Sequence, residues 1–347
     1  MLRRAFFRLE ETTMEMQQTE TTTSRKAALR LVSTKSMSRD DWLRIRRNGI
    51  GASDAAAAVG LSPYQSPLEL WMVKTGRDAT LPKPDPDDQG SPVYWGNVLE
   101  PIVAEHYSKR TGRKVRRVNS VLQHPDPNKA WMLANLDYAV VGDDEVQVLE
   151  CKTAGEFGAR QWRKGVPDYV QCQVQHQLAV TGKKAADVCV LLCGQELKIY
   201  RIQRDDELIA ELIRLERQFW SYVESDTPLP ADYSDSADRA LRHLYPNDNG
   251  QEVDLRDDRA MCKTFDQLQS ARRQMEALKQ AEAQLKHSIQ QRMGEATRAI
   301  FPQGTVSWKK SNDSVALDTK RLLKDQPQLM DQYPLTKPGS RRFLIND

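Results

Sequence analysis

The segments Asn135-Leu136-Asp137-Tyr138 and Glu150-Cys151-Lys152 lie on either side of Gly142-Asp143-Asp144 in a chain of 347 residues. This arrangement predicts two extended segments, 131–141 and 145–152, joined by a tight turn. If the turn is symmetric about Asp143-Asp144, Asp137 lies directly opposite Glu150. Directly opposed residues of a hairpin have their Cβ atoms ~4.5–5.5 Å apart. The sequence therefore predicts two acids close together near the ends of neighbouring strands.

These two acids have the chemistry of a divalent metal site. Alternate residues of a strand share a face, so Val146 and Val148 would pack in the core while Glu150 and Lys152 emerge beyond them. Two close carboxylates repel unless a cation lies between them, and oxygen ligands suit Mg²⁺ or Mn²⁺. The Cys151 carbonyl is a further candidate ligand. Lys152 could then orient or help deprotonate an attacking water, with a cation screening phosphate charge.

Taken alone, the Asp…Glu-x-Lys pattern is more often a solvated hairpin with a surface ion pair. Two further residues are candidates for the same site. Glu100, followed by Pro101 in a helix predicted over 94–110, could be another ligand, or simply a surface acid. Gln173, in a helix predicted over 168–181, could position water or phosphate, or lie on a solvated polar face.

Arg46 and Ser53 form a candidate phosphate site. Arg46 closes a helix predicted over 39–46, and Ser53 is expected to cap the next short helix after a glycine turn. A helix N-terminus beside a guanidinium binds phosphate well, although an ordinary cap with a surface arginine is the commoner case. The segment 109–117, with six positive charges, could grip a DNA backbone or could be a solvated helix end followed by a basic strand.

The composition excludes several classes of protein. The chain has 51 Lys and Arg against 48 Asp and Glu, so a strongly basic nucleic-acid coat is excluded. No apolar run approaches the ~18 residues of a membrane helix, so a membrane-spanning protein is excluded. The five cysteines are odd in number and have no Cys-x-x-Cys spacing, which disfavours a disulfide framework or structural zinc site.

The order of predicted elements indicates an α/β (α+β) protein with a central mixed β-sheet flanked by helices. Residues 1–36 are expected to be a disordered tail, 37–226 the main domain and 227–254 a linker. The apolar spacing over 255–297 predicts a long amphipathic helix suited to a coiled-coil arm. Residues 298–347 are expected to form a small β-containing unit with strands at 305–308 and 342–345.

Several motifs together resemble one family. They occur in the family's order along residues 38–225 and read Ile50-Gly51-Ala52-Ser53-Asp54, Leu61-Ser62-Pro63-Tyr64, Pro67-Leu68-Glu69-Leu70-Trp71, Thr75-Gly76-Arg77, Trp95-Gly96-Asn97-Val98-Leu99-Glu100-Pro101, Leu136-Asp137, Glu150-Cys151-Lys152-Thr153 and Gln173-Val174-Gln175-His176-Gln177-Leu178. This set resembles the YqaJ-type viral recombinases. That family is similar to the phage lambda exonuclease, within the PD-(D/E)xK nuclease superfamily.

The resemblance implies a Mg²⁺-dependent exonuclease that degrades the 5′ strand at double-stranded DNA ends. It implies a 3′ overhang for a single-strand annealing protein, a ring-shaped homotrimer, and a cytoplasmic location in a bacterial host. By matching motifs, Asp137 and Glu150 would be the metal ligands, and Lys152 would be the catalytic lysine. Glu100 would be the acid near the metals, and Gln173 would be the glutamine of the following helix. Arg46 and Ser53 would bind the 5′-phosphate.

One departure concerns the segment before the first acid. It reads Asn135-Leu136-Asp137-Tyr138 where the lambda branch has a Ser-Pro-Asp-Gly type of sequence, so a phosphate contact from that serine is not expected here. Two alternatives to an exonuclease stay open. One is an endonuclease or structure-specific nuclease with the same site, and the other is a non-catalytic DNA-binding scaffold.

Overall fold

The computed structural model describes residues 27–83, 85–337 and 339–345. Its strands are β1 Leu29–Ser33, β2 Ile50–Gly51, β3 Lys114–Arg117, β4 Ser120–Gln123, β5 Met132–Ala134, β6 Tyr138–Val141, β7 Val148–Ala154, β8 Ala185–Leu192, β9 Glu196–Gln203, β10 Arg298–Phe301 and β11 Gly304–Ser307. Its α-helices are α1 Arg39–Arg47, α2 Ala55–Ala58, α3 Pro67–Lys74, α4 Pro92–Thr111, α5 Glu156–Ala159, α6 Asp168–Thr181, α7 Asp206–Glu224, α8 Asp235–Leu244, α9 Arg259–Met293, α10 Thr319–Asp325 and α11 Leu329–Gln332.

A five-stranded sheet with the order β3-β6-β7-β8-β9 lies at the centre of the first compact unit, which ends at Pro246. Its β7 and β8 are parallel and its other pairs are antiparallel. Helix α6 connects the two parallel strands, as a parallel pair requires. A four-stranded sheet, β1-β4-β5-β2, lies beside it. The predicted class, an α/β protein with a mixed sheet flanked by helices, is confirmed.

Helices cover both faces of the five-stranded sheet. On one face, Val103 and Tyr107 of α4 pack with Leu149 and Cys151. On the other, residues of α6 pack with Val148. Alternate residues of β7 therefore enter different cores, as strand geometry requires. Val146 packs with the α4 side, so the prediction that it shares a face with Val148 is wrong, because the regular strand begins only at Val148.

Two predicted extended segments each break into two strands that belong to different sheets. The segment 114–122 divides into β3 and β4, and the segment 131–141 divides into β5 and β6. The breaks face each other, since the Val118 amide donates to the Asp137 carbonyl at 3.1 Å. Asp137 therefore lies where the chain passes from one sheet to the other.

Two predicted domain boundaries differ from the structure. Residues 1–26 of the predicted tail 1–36 lie outside the described residues. Within the rest of that range, residues 29–33 form β1, which pairs with the distant β4. The predicted linker 227–254 contains α8, whose buried Ala237 and Ala240 dock it. The Arg239 guanidinium, on the same helix, is 2.5 Å from the Glu69 carboxylate of α3. Both differences come from partners far away in sequence.

The second compact unit begins at Asn247. Its long helix α9 lies within the predicted range 255–297 and starts after an Asp258 cap, whose side chain accepts from the Met261 amide. A hairpin of β10 and β11 follows it. The predicted strand at 305–308 corresponds to β11. The one at 342–345 is wrong, because β11 pairs with the adjacent β10 and residues 341–345 have no regular structure.

Candidate active site

The hairpin register places the two predicted acids opposite each other. Strand β6 pairs with β7 through Tyr138 opposite Leu149 and Ala139 opposite Val148, so Asp137 continues the register opposite Glu150. The ladder ends there, and the Cys151 amide donates instead to Asp137 Oδ2 at 2.8 Å. The end of the strand pair thus frees one backbone donor, which the carboxylate of Asp137 satisfies.

Glu150 is buried and hydrogen-bonded on both carboxylate oxygens. Its Oε1 lies 2.7 Å from Lys152 Nζ and accepts from Gln173 Nε2 at 2.6 Å. Its Oε2 accepts from Gln177 Nε2 at 2.7 Å. Lys152 Nζ also donates to Gln173 Oε1 at 3.0 Å. The structure therefore brings the predicted residues Glu150, Lys152 and Gln173 into one hydrogen-bonded cluster.

The charges of this cluster shift its pKa values. Burial, together with the Glu150 and Glu100 carboxylates, raises the pKa of Asp137 well above its usual range, despite the opposing Lys152 charge and Cys151 amide. Burial acts to lower the pKa of Lys152, but the Glu150 and Asp137 carboxylates outweigh it and raise that pKa. Lys152 is therefore a cation held among acids, with 27% of its side chain exposed.

Glu100 lies beside the cluster on α4. Burial and the Glu150 carboxylate raise the pKa of Glu100, while Arg117 and Lys152 oppose the rise. Its Oε1 is 3.2 Å from Arg117 Nη2, yet this buried oxygen makes no hydrogen bond within the described part of the chain. The Glu100 carboxylate in turn helps to raise the pKa of Asp137.

Cys151 contributes its backbone rather than its thiol. Burial, followed by the Asp137 and Glu150 charges, raises the pKa of the Cys151 thiol. The side chain packs in the core on the α4 face of the sheet, opposite to the face of Glu150. The candidate ligand at this position is therefore the backbone carbonyl rather than the thiol.

The donors of the cluster fit a divalent cation of the Mg²⁺ type. An ionised carboxylate has about four lone-pair sites. Three side-chain contacts occupy three of these sites on Glu150, and the Cys151 amide occupies one site on Asp137. Both carboxylates therefore keep lone pairs for a cation. Among the described residues, no group of three or more His, Cys, Asp or Glu is arranged to hold a metal ion. A pair of acids is still sufficient, since Mg²⁺ is commonly bound by one or two carboxylates with waters and substrate phosphates.

The predicted phosphate residues also meet, but around an acid. Arg46 Nη2 donates to Ser53 Oγ at 2.6 Å and to Asp54 Oδ1 at 2.6 Å, and the guanidinium lies 4.7 Å from the centroid of the Trp42 ring. Gly51 permits this approach, because a Cβ there would lie 2.7 Å from Arg46 Nη2. Ser53 does not cap a helix as predicted. It lies inside a 3₁₀ turn, Ala52–Asp54, and its hydroxyl bonds Arg46 instead.

Asp54 balances the charge of this second cluster. Its Oδ2 lies 2.7 Å from the buried Lys74 Nζ and accepts from the Gly51 amide at 3.1 Å. Burial acts to raise the pKa of Asp54, but the charges of Arg46 and Lys74 outweigh it and hold that pKa well below its usual range. Arg46 Nη2 is therefore already used by Ser53 and Asp54, and a phosphate at this site would have to bind the other guanidinium donors.

Sequence reasoning assigned no role to Gln177 or Lys74. Gln177 lies one turn after Gln173 on α6, and this spacing of four residues was the available signal, since such residues share a helix face. Lys74 had no such signal, because its partner Asp54 lies on another element 20 residues earlier.

Most of the basic segment 109–117 is engaged by neighbouring groups. Arg113 bonds Asp143 at 2.6 Å, Arg110 donates to the Leu197 carbonyl at 2.5 Å, and Arg117 contacts Glu100. Lys114 and Arg116 are exposed on the edge strand β3. A DNA-backbone contact here remains a prediction.

Comparison with known proteins identifies the family. Residues 41–184 match the YqaJ-like viral recombinase domain. The chain is also 35% identical over 332 residues to "Uncharacterized protein YqaJ" of Bacillus subtilis (strain 168), covering 94% of this chain and 99% of that protein. The chain belongs to the YqaJ family. Membership of this viral recombinase family supports a role in recombination.

Similar solved structures include an alkaline exonuclease, LHK-Exo, from Laribacter hongkongensis. It is 23% identical, with a TM-score of 0.45, and the match covers 54% of this chain and 93% of that one. A phage related exonuclease from Haemophilus somnus 129PT is 11% identical, with a TM-score of 0.39, and the match covers 53% of this chain and 99% of that one. Within the described residues of the YqaJ-family chain, no helix is long and apolar enough to cross a membrane.

Proposed function

We propose that this YqaJ-family protein is a Mg²⁺-dependent nuclease of the PD-(D/E)xK type that degrades double-stranded DNA from its 5′ ends. The observation that carries the proposal is the meeting of Asp137, Glu150 and Lys152 at one strand end, with the Lys152 ammonium 2.7 Å from Glu150. Acids paired with a lysine at such a place suit phosphodiester hydrolysis, because they combine cation binding with stabilisation of developing negative charge.

The protein's own residues would divide the work as follows. Asp137, Glu150 and the Cys151 carbonyl would hold Mg²⁺, with Mn²⁺ as a substitute, and Glu100, the acid that the family resemblance implies near the metals, would add negative charge beside them. A bound divalent cation supplies Lewis-acid activation of water and neutralises phosphate charge. Lys152, held by Gln173 at 3.0 Å, would orient the attacking water and offset charge on the phosphate.

Arg46 and Ser53 would receive the terminal 5′-phosphate. Their contact at 2.6 Å brings a guanidinium and a hydroxyl to one place, and guanidinium groups recognise phosphate through several donors at once. The 3₁₀ turn that holds Ser53 packs against α6, the helix that supplies Gln173. A site that binds a terminal phosphate would favour an exonuclease over an endonuclease, because only an exonuclease needs a free end.

The product would be a 3′ single-stranded overhang used by a single-strand annealing protein in recombination. The resemblance to the lambda exonuclease supports this partner, a ring-shaped homo-oligomer and a cytoplasmic site of action. The exposed apolar side chains along α9, including Met275, Leu278 and Leu285, offer a surface for assembly or partner binding.

The test uses linear duplex DNA labelled at one end, with Mg²⁺ or with EDTA. The 5′ ends are phosphorylated or carry a hydroxyl, and a closed circle is the control. We expect Mg²⁺-dependent loss of the 5′-phosphorylated strand with the circle intact. Cutting of the circle would favour an endonuclease, and no cutting with any divalent metal would leave a DNA-binding scaffold.

A further inference from the structure

Gln177 contacts both segments that contain the acids. This side chain is fully buried on α6. Its Nε2 donates to Glu150 Oε2 at 2.7 Å and to the main-chain oxygen of Asn135 at 3.3 Å. Asn135 lies in the irregular segment between β5 and β6, two residues before Asp137. One amide group thereby joins the side chain of one acid to the backbone that leads into the other.

The environment of Gln177 Oε1 indicates that the two hydrogen bonds from Nε2 set the orientation of the side-chain amide. Its Oε1 is buried and has no hydrogen-bond partner among the described residues. Burial of an unpaired acceptor is unfavourable, so a side chain present only for packing would be apolar. A flipped amide would place Oε1 against the Glu150 carboxylate and the Asn135 carbonyl, which are both acceptors. The two donated hydrogen bonds therefore decide how the group lies.

The bridge completes the restraint of Glu150. Lys152 and Gln173 hold its Oε1, and Gln177 holds its Oε2. The Cys151 amide holds Asp137 from the other side. With both carboxylates restrained, their separation is a fixed property of the site. Mg²⁺ requires short bonds in near-ideal octahedral geometry, whereas Ca²⁺ accepts longer and more variable ones.

We infer that Gln177 is a positioning residue that sets the separation of Asp137 and Glu150, and with it the preference of this acid pair for Mg²⁺ over Ca²⁺. The inference rests on the proposed function, because it needs the two acids to bind a divalent cation. It goes further by assigning the choice of cation to a buried residue that would act through the two acids rather than as a ligand.

Gln175 provides a matched control on the same helix. It is also buried, but its Nε2 donates to the Gln203 carbonyl at 2.8 Å and its Oε1 accepts from the Asp205 amide at 3.1 Å, away from the acids. Gln177→Met and Gln175→Met each remove one buried amide from α6 at similar side-chain volume. Only the first removes a contact with Glu150.

The experiment measures Mn²⁺ binding to the full-length protein by electron paramagnetic resonance, without DNA, followed by displacement with Mg²⁺ or Ca²⁺. We expect Gln177→Met to lose ~10–100-fold in Mg²⁺ affinity, the usual effect of removing a group that orients a metal ligand. The loss for Ca²⁺ should be smaller. Gln175→Met should bind both ions like the wild type, whatever happens to its melting temperature.

The outcomes separate this inference from the proposed function. Wild-type affinity and selectivity in Gln177→Met, or equal losses for Mg²⁺ and Ca²⁺, would overturn the inference alone. Unfolding of both Gln177→Met and Gln177→Leu would also overturn it, in favour of a purely structural role. If the wild type binds no Mn²⁺, or Asp137→Asn binds it equally well, the proposed metal site fails and the inference fails with it.

Discussion

Replacing Asp54 by asparagine tests the charge cluster on which the Arg46 site is built. The Asp54 carboxylate lies 2.6 Å from Arg46 Nη2 and 2.7 Å from Lys74 Nζ. The three side chains are little exposed, at 14%, 17% and 2% respectively. Asparagine keeps the size of the side chain and removes its charge. Lys74, whose pKa burial already lowers, is then a buried cation without a counter-charge.

The size of the effect follows from this burial. Removing one partner of a buried ion pair costs about 3–5 kcal/mol, because the other charge stays buried and uncompensated. The asparagine oxygen can still accept from Lys74 and from the Gly51 amide, so we expect the lower end of this range. A loss of about 3 kcal/mol lowers the folding equilibrium constant by about 100-fold.

The assay is urea denaturation of the wild type and Asp54→Asn between pH 7 and pH 3. The folded pKa of Asp54 is depressed. Its stabilisation is therefore fully present above the unfolded pKa of ~3.9 and is lost as the pH falls toward the folded value. The difference between the two proteins should be largest at neutral pH and should narrow in acid.

An exposed ion pair supplies the control. Glu105 and Lys109 are 2.5 Å apart on α4, with side chains 61% and 63% exposed, so Glu105→Gln should leave the free energy of unfolding close to that of the wild type. A loss below about 0.5 kcal/mol for Asp54→Asn at pH 7, the range of ordinary surface substitutions, would refute the reasoning. A difference that stays constant from pH 7 to pH 3 would refute it equally.

Four further predictions concern the candidate active site, the Arg46 cluster, the core and the second unit. Lys152→Ala should reduce cleavage by at least ~100-fold in a gel assay while leaving DNA binding intact, and retained turnover would remove Lys152 from the mechanism. Arg46→Ala should weaken the preference for 5′-phosphorylated over 5′-hydroxyl ends, whereas equal losses on both ends would mean a structural role. His176 should be protonated in the folded protein, because its two ring nitrogens contact Glu216 Oε1 and the main-chain oxygen of Leu133. Burial opposes protonation, but these two partners raise the pKa of His176. The stabilisation from the protonated ring is therefore present below the unfolded pKa of ~6.5 and is lost as the pH rises through the folded pKa. The wild type should therefore lose more stability than Glu216→Gln between pH 6 and pH 9 in chemical denaturation, and parallel losses would contradict the pairing. Deleting 255–347 should leave nuclease activity but change the number of subunits in solution or the binding of an annealing protein. If neither changes, this segment has no role in assembly or partner binding.

Local patterns were sufficient for the elements that contain the candidate site. Helix α6 has the bounds 168–181 that the sequence predicts, because Pro167 precedes its first residue and Gly182 ends it with a φ of 68°. The hairpin register was likewise readable, since a turn centred on Asp143-Asp144 leaves few pairings for strands with a period of two.

Contacts between distant segments account for what the sequence did not predict. The strand Leu29–Ser33 lies within the predicted tail and forms through its pairing with β4. Lys74 reads as an ordinary lysine at a helix end, and only the fold buries it against Asp54. Ser53 has the pattern of a helix cap, but the guanidinium of Arg46 occupies its hydroxyl.

By itself the sequence determined the α/β class and the family and supplied the candidate acids and lysine, because these follow from residue type, period and order along the chain. The tertiary structure alone decided that two extended segments divide between two sheets at Asp137, and that Gln177 bridges Asn135 and Glu150 there. Hydrogen bonds between residues 27 and 42 positions apart have no local signature. They form only because packing of α6 against the sheet buries these groups together, where the Glu150 carboxylate and the Asn135 carbonyl each gain a donor from Gln177.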